Sequence, residues 1–237
     1  MKDSYGSLQL FAPGIWLVEY PINYSGITFN ARTSIIQLSS GKLILHSPCE
    51  ITPALKAEIE AIGPVGWLVA PGNFHHLHRT SAQEAFPEAE TWIAPGVEKK
   101  QPELQFDGML GAEMPAEWLG EIDQVFVPGS RVISEVVFLH RASRTLIVTD
   151  LIELIGPETQ GVGWGIKFYW KFITFMWNKP RPAPEYSMLM RYKPTAAALR
   201  KVLAWEFDRI VLSHGDLIEE NAHARAEEAW AKVLRKG

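Results

Sequence analysis

A chain of 237 residues with 47% hydrophobic and 21% charged residues has the balance of a globular protein with a sizeable core, which excludes a disordered chain. The net charge of −4 is spread along the sequence and implies no basic surface for nucleic acid, while the lone cysteine, Cys49, excludes an internal disulfide framework and fits a reducing compartment. The opening residues lack the apolar run of a signal peptide, and no stretch reaches the roughly 18 apolar residues of a transmembrane helix, so a cytoplasmic location is expected.

The first third reads as strands. Gly14 to Glu19 and Ala31 to Leu38 are rich in β-branched and aromatic residues, and the polar turn Ser39-Ser40-Gly41-Lys42 predicts a hairpin into Leu43-Ile44-Leu45-His46. Thr52 and Pro53 carry the signature of a helix start, with Thr52 as N-cap, and Gly63-Pro64 ends that helix. Val65 to Ala70 is a strand, broken by Pro71-Gly72; Thr80 to Phe86 is a short helix and Glu90 to Ala94 a strand. From about 96 to 120 the chain reads as irregular. Strands return at 124–127, 135–140 and 145–149. Beyond an irregular stretch from about 151 to 194, Thr195 is expected to cap a helix, Phe207 to Leu212 forms a strand, and a last helix starts near Asn221. Strands alternating with helices give an α/β chain, read as one domain over 1–237 with an aromatic-rich segment at about 156–194.

Chemistry concentrates where strands end. The run Asn73-Phe74-His75-His76-Leu77-His78 follows a strand and a Pro-Gly break, and it holds three of the chain's seven histidines. Imidazole is the usual ligand of zinc and suits iron as well, although such clusters also occur as loop histidines bonded to backbone. The strand Thr145 to Thr149 ends directly in Asp150, and Arg209 to Ser213 ends in His214-Gly215. An ionised carboxylate at the end of an apolar strand needs a partner, and a cation is one; a helix cap is the blander alternative for Asp150.

The order His/His/His, Asp, His on three strand exits resembles the metallo-β-lactamase superfamily, with its HxHxDH motif, bridging Asp and two further histidines. Along that motif Asn73 stands for the first His, His75 for the second, Leu77 for the Asp and His78 for the last His. Asp150 matches the bridging Asp and His214 the final His, while Ser130 follows Pro128-Gly129 where the family carries a His. Glu135, His140, Ser143, Arg144 and Asp150 resemble the downstream pattern of a divergent branch with a degenerate motif. The resemblance covers about residues 11–234 and implies an αββα four-layer sandwich, a metallo-β-lactamase-like fold.

It also implies a thinned metal site. One of the family's two metals retains only His75 and Asp150, while the other retains His78, Asp150 and His214. The expectation is one divalent metal, zinc ahead of iron, held by His75, His78, Asp150 and His214, with His76 a further candidate. Three protein ligands and an open position suit a catalytic site, so the implied activity is hydrolysis of a small-molecule substrate by activated water. The alternative is a protein that keeps the fold with little or no metal, since Asn73, Leu77 and Ser130 replace ligands. Glu135 is a candidate general base or a supporting carboxylate, and His140 and Arg144 are read as structural.

Nine tryptophans is a high count, and three fall between Trp164 and Trp177 among Phe168, Tyr169, Phe172 and Phe175. Aromatics that nearly encircle a helix predict burial on several sides, as a lid over the metal edge or as a homo-oligomer interface; membrane contact is the less favoured reading.

Overall fold

Runs of β-branched and aromatic residues in the first half fold back on one another as a mixed sheet. A computed structural model describes residues 6–24, 27–75 and 78–237. The first sheet takes its strands in chain order: β1 (Gln9–Ala12), β2 (Ile15–Tyr24), β3 (Ile27–Gln37), β4 (Leu43–His46), β5 (Val65–Ala70), β6 (Glu90–Ile93) and β7 (Gly108–Met109). The pairings from β1 to β4 are antiparallel and those from β4 to β7 parallel. The predicted β3–β4 hairpin is present, with Ile36 opposite Ile44. The second sheet has the order β11 (Arg209–Val211), β10 (Thr145–Ile147), β9 (Glu135–His140), β8 (Ile122–Val127), and only β10–β11 is parallel.

Each sheet buries both faces, and period-two alternation assigns the side chains to layers. Ile36, Ile44 and Val69 of the first sheet meet Val136, Phe138 and Ile147 of the second in a core between the sheets. Ile35, Leu45 and Leu68 point the other way, onto Leu55 and Ile59 of α1 (Pro53–Glu60) and Ala82 of α2 (Arg79–Ala85). The short α3 (Val97–Lys100) follows β6. On the far side, Val137, Leu139 and Ile210 pack against α5 (Tyr192–Leu203) and α6 (Ala222–Lys236), whose Trp230 is fully buried. The result is helices, sheet, sheet, helices: the four layers that the resemblance implied.

Local signals decide several boundaries. Thr52 caps α1 as expected, its hydroxyl accepting from Leu55 N at 3.2 Å. Thr195 does not cap α5. That helix begins three residues earlier at Tyr192, and the buried Thr195 hydroxyl donates to Gly129 O at 3.0 Å. β2 runs five residues past the expected end at Glu19, because its partner β3 pairs it as far as Tyr24.

Candidate metal centre

Parallel pairing places the C-terminal ends of β4 and β5 at one edge of the first sheet, and those of β10 and β11 at one edge of the second. Ser47, His75, Asp150 and His214 leave those four ends and line a cavity of about 290 Å³. Ligand atoms of His75, Asp150 and His214 lie within 4.8 Å of one another. His75 Nε2 is 3.2 Å and His214 Nε2 3.5 Å from the same Asp150 oxygen, Oδ1.

Both imidazoles are oriented from behind. His214 donates through Nδ1 to Asn30 O at 3.0 Å and meets Phe29 edge-on, with centroids 4.9 Å apart. That hydrogen bond leaves the Nε2 lone pair facing Asp150. His75 Nδ1 is 2.8 Å from Ser47 Oγ, so its Nε2 also faces the carboxylate. Ser47 itself is held at φ 55 after β4, a conformation uncommon for residues other than glycine. Behind His214, Gly215 has φ +94, and a Cβ there would lie 2.1 Å from Leu154 O, so this turn requires glycine.

Asp150 is fixed by a buried carboxylate. Glu135, 0% exposed at the start of β9, accepts from Thr149 N and Oγ1 at 2.8 and 2.7 Å, Asp150 N at 2.9 Å, Leu151 N at 3.0 Å and Tyr186 OH at 3.0 Å. Four of these bonds go to Oε2 and one to Oε1, and four of the five come from the loop at 149–151, which makes Glu135 the support of Asp150. The blander sequence reading was the right one. No helix follows Asp150, so the capping alternative for it is also removed.

The electrostatics set an anion between one imidazole held neutral, His214, and one whose protonated form the anion favours, His75. Burial lowers the His214 pKa to about 4, with Asp150 pulling the other way. For His75 burial also lowers it, but the charge and hydrogen bond of Asp150 raise it more. Burial opposes ionisation of Asp150, yet His75 and His214 together hold its carboxyl below the usual value. Buried His46, beside His75, is pushed down to about 3 by desolvation and then by the His75 charge.

The remaining described candidates fall outside the cluster. His78 lines the same cavity but stands at the start of α2, edge-on to Tyr20 at 5.6 Å between centroids, and is not among the three converging ligands. His76 and Leu77 lie outside the described residues. Asn73 and Ser130 are engaged with backbone. The Asn73 side chain donates to Val132 O at 2.9 Å and accepts from Ser134 N at 3.2 Å; Ser130 Oγ accepts from Val132 N and Ile133 N at 3.0 and 3.1 Å. Where the resemblance has ligands, these residues staple two loops together. His140 bonds Ser143 at 2.7 Å, and Arg144 pairs with Asp208 and Glu206, which is the structural use expected of both. Sequence reasoning missed Ser47, although it follows His46 directly at a strand exit.

Two sheets between helices with a histidine–aspartate cluster at one edge define a metallo-β-lactamase-like fold. The chain belongs to the family described as Domain of unknown function (DUF4336), whose model matches residues 13–162. Among curated proteins no sequence matches. Solved structures similar to it include a metallo-β-lactamase from Pontibacter korlensis, at 12% identity and TM-score 0.65 over 98% of this chain and 99% of that one. Another is metallo-β-lactamase FIM-1 from Pseudomonas aeruginosa in its mono-zinc form, at 12% identity and TM-score 0.63 over 100% and 97%. A third, from Hirschia baltica, has 12% identity and TM-score 0.63 over 96% and 97%. At such identities the likeness establishes the fold.

Proposed function

We propose that this protein is a single-metal hydrolase that binds one divalent ion, zinc ahead of iron, through His75, Asp150 and His214. The observation that carries the reading is the convergence of two imidazole nitrogens and a carboxylate within 4.8 Å at the floor of a cavity. The donor set fits the ion. Both Nε2 atoms face Asp150 with their Nδ1 atoms engaged elsewhere, and three protein ligands with an open position suit catalytic zinc. A second ion is disfavoured, since Asn73 and Ser130, which stand where the resemblance has further ligands, spend their side chains on backbone. Support also comes from the similar structure of FIM-1, which is of a mono-zinc form.

When bound, the ion supplies a water acidic enough to act as nucleophile near neutral pH and a Lewis acid for the substrate's oxygen. Asp150 lies between the two imidazoles, Asn30 O fixes the His214 tautomer, Ser47 orients the His75 ring, and Glu135 holds the Asp150 backbone. Tyr20, Phe29, Phe74 and Ile133 make much of the cavity wall apolar, so an ester, amide or phosphoester with an apolar body is the substrate class.

The rival reading is a protein that keeps the fold without the ion. It is favoured by the mutual hydrogen bonding of His75 and Asp150, which satisfies both groups without a metal. Elemental analysis of protein purified without added metal, followed by a screen of generic esters and phosphoesters before and after chelation, separates the two. Chelator-sensitive turnover supports the hydrolase; absence of both metal and turnover supports the rival.

A further inference from the structure

The aromatic segment neither lines the cavity nor buries itself within the chain, so the lid expected from its sequence does not hold. α4 (Trp164–Phe168) continues through a wider turn, Tyr169–Ile173, closed by an i to i+5 hydrogen bond from Thr174 N to Tyr169 O at 3.0 Å. No residue from 164 to 177 lines the cavity. Ile166 and Met176 alone in this stretch are buried. Trp164 is 83% exposed, Phe168 51%, Phe172 53%, Ile173 58% and Phe175 72%. Rings at positions 164, 168 and 172 share a helix face, and the last two are 5.1 Å apart. A contiguous apolar patch of this kind on a single chain marks a contact surface.

Charge decides what the surface fits. Between Glu158 and Glu185 the sequence holds Lys167, Lys171, Lys179 and Arg181 and no acidic residue, in a chain whose net charge is −4. Arg181 is paired with Glu228, whereas among the described residues no ion pair involves the three lysines. Lys167 and Lys171 stand four apart beside the ring stripe, Lys171 5.5 Å from the Phe172 ring. A second copy is the poorer occupant. A two-fold contact sets a patch against itself, and this segment holds no acid to pair its lysines. Aromatic rings that enter the acyl boundary, with lysines reaching back to phosphates, are the composition of an interfacial helix. Among the described residues no helix is long and apolar enough to cross a bilayer, so the contact would be with its surface.

We propose that residues 164–179 dock this protein on an anionic phospholipid surface, the rings of Trp164, Phe168 and Phe172 entering the interface and Lys167 and Lys171 pairing with phosphate. This assignment is independent of the metal centre. Flotation of the full chain with vesicles of phosphatidylcholine mixed with phosphatidylglycerol, beside phosphatidylcholine alone, tests it. The wild type is expected to float with the mixed vesicles and to be released by salt. Lys167→Glu with Lys171→Glu should cut partitioning by at least about twentyfold, since each lysine near an anionic surface is worth roughly a factor of five. Trp164→Ser with Phe172→Ser should abolish flotation while circular dichroism and melting stay those of the wild type. Failure of the wild type to float, or flotation indifferent to the lysine reversal, overturns the proposal. So does a dimer in sedimentation that the ring variant dissociates while vesicles bind neither, because the patch is then a contact between copies.

Discussion

The strand-exit loops around Asp150 and the segment from Trp164 to Asn178 are both irregular in sequence, yet the protein treats them in opposite ways. Around Asp150 the loops are tied down by buried hydrogen bonds: five donors reach Glu135, and Asn73 and Ser130 staple their loops. The aromatic segment has five large apolar side chains half or more exposed, and its lysines lack ion-pair partners among the described residues. Buried hydrogen bonds give a loop one geometry, as a ligand cluster requires. Exposed rings contribute little to the fold and are available to a partner. Hydrophobicity therefore marks the interior in the first region and the outer surface in the second.

The contrast sharpens under substitution. Glu135→Ala should have the largest effect, because it strands several buried donors at once; a loss of roughly 3 kcal/mol or more is expected, read by urea denaturation. Gly215→Ala comes next. Its Cβ would meet Leu154 O at 2.1 Å in a left-handed turn, so the loop carrying His214 must shift, at about 2 kcal/mol and with weakened metal binding by calorimetry.

Acid should act on the first region alone. The folded pKa values of His46 and His214, about 3 and about 4, lie below the ordinary 6.5, so the unfolded chain takes up more protons. Their contribution is therefore fully present above about pH 6.5 and is lost as pH falls toward 3. Each adds a slope of about 1.4 kcal/mol per pH unit across its window. His46→Leu should flatten that slope in denaturation series run in chelator; an unchanged slope would mean that His46 is not held neutral. The smallest effect belongs to the other region. Phe172→Ser is expected to change stability by no more than about 0.5 kcal/mol, and a larger loss would show that the exposed rings do support the fold.

Much of this was legible in the sequence. Strand runs, the Thr52 cap and the β3–β4 turn are local signals, and each is present, although strand ends such as that of β2 moved with their partners. His75, Asp150 and His214 were visible because all three follow apolar strands. Ser47 was not, since nothing local distinguishes a serine that bonds to a ring 28 residues away. For Glu135 the supporting role was one of two readings, but its partners were hidden. Its five donors come from a loop 14 residues on and from Tyr186, and only the antiparallel pairing of β9 with β10 brings them together. The aromatic segment misled for a physical reason. Periodicity reports which rings share a face, but whether that face meets protein or solvent depends on what the fold sets opposite it.

The central claim is that His75, Asp150 and His214 form one metal site. Isothermal titration of chelator-stripped protein with zinc, for the wild type and for Asp150→Asn, tests it most directly. The account predicts one ion per chain for the wild type, with a matching rise in melting temperature, and loss of both in the variant. Titration heats and melting that are the same for the two proteins, or the absence of any binding to the folded wild type, would contradict it.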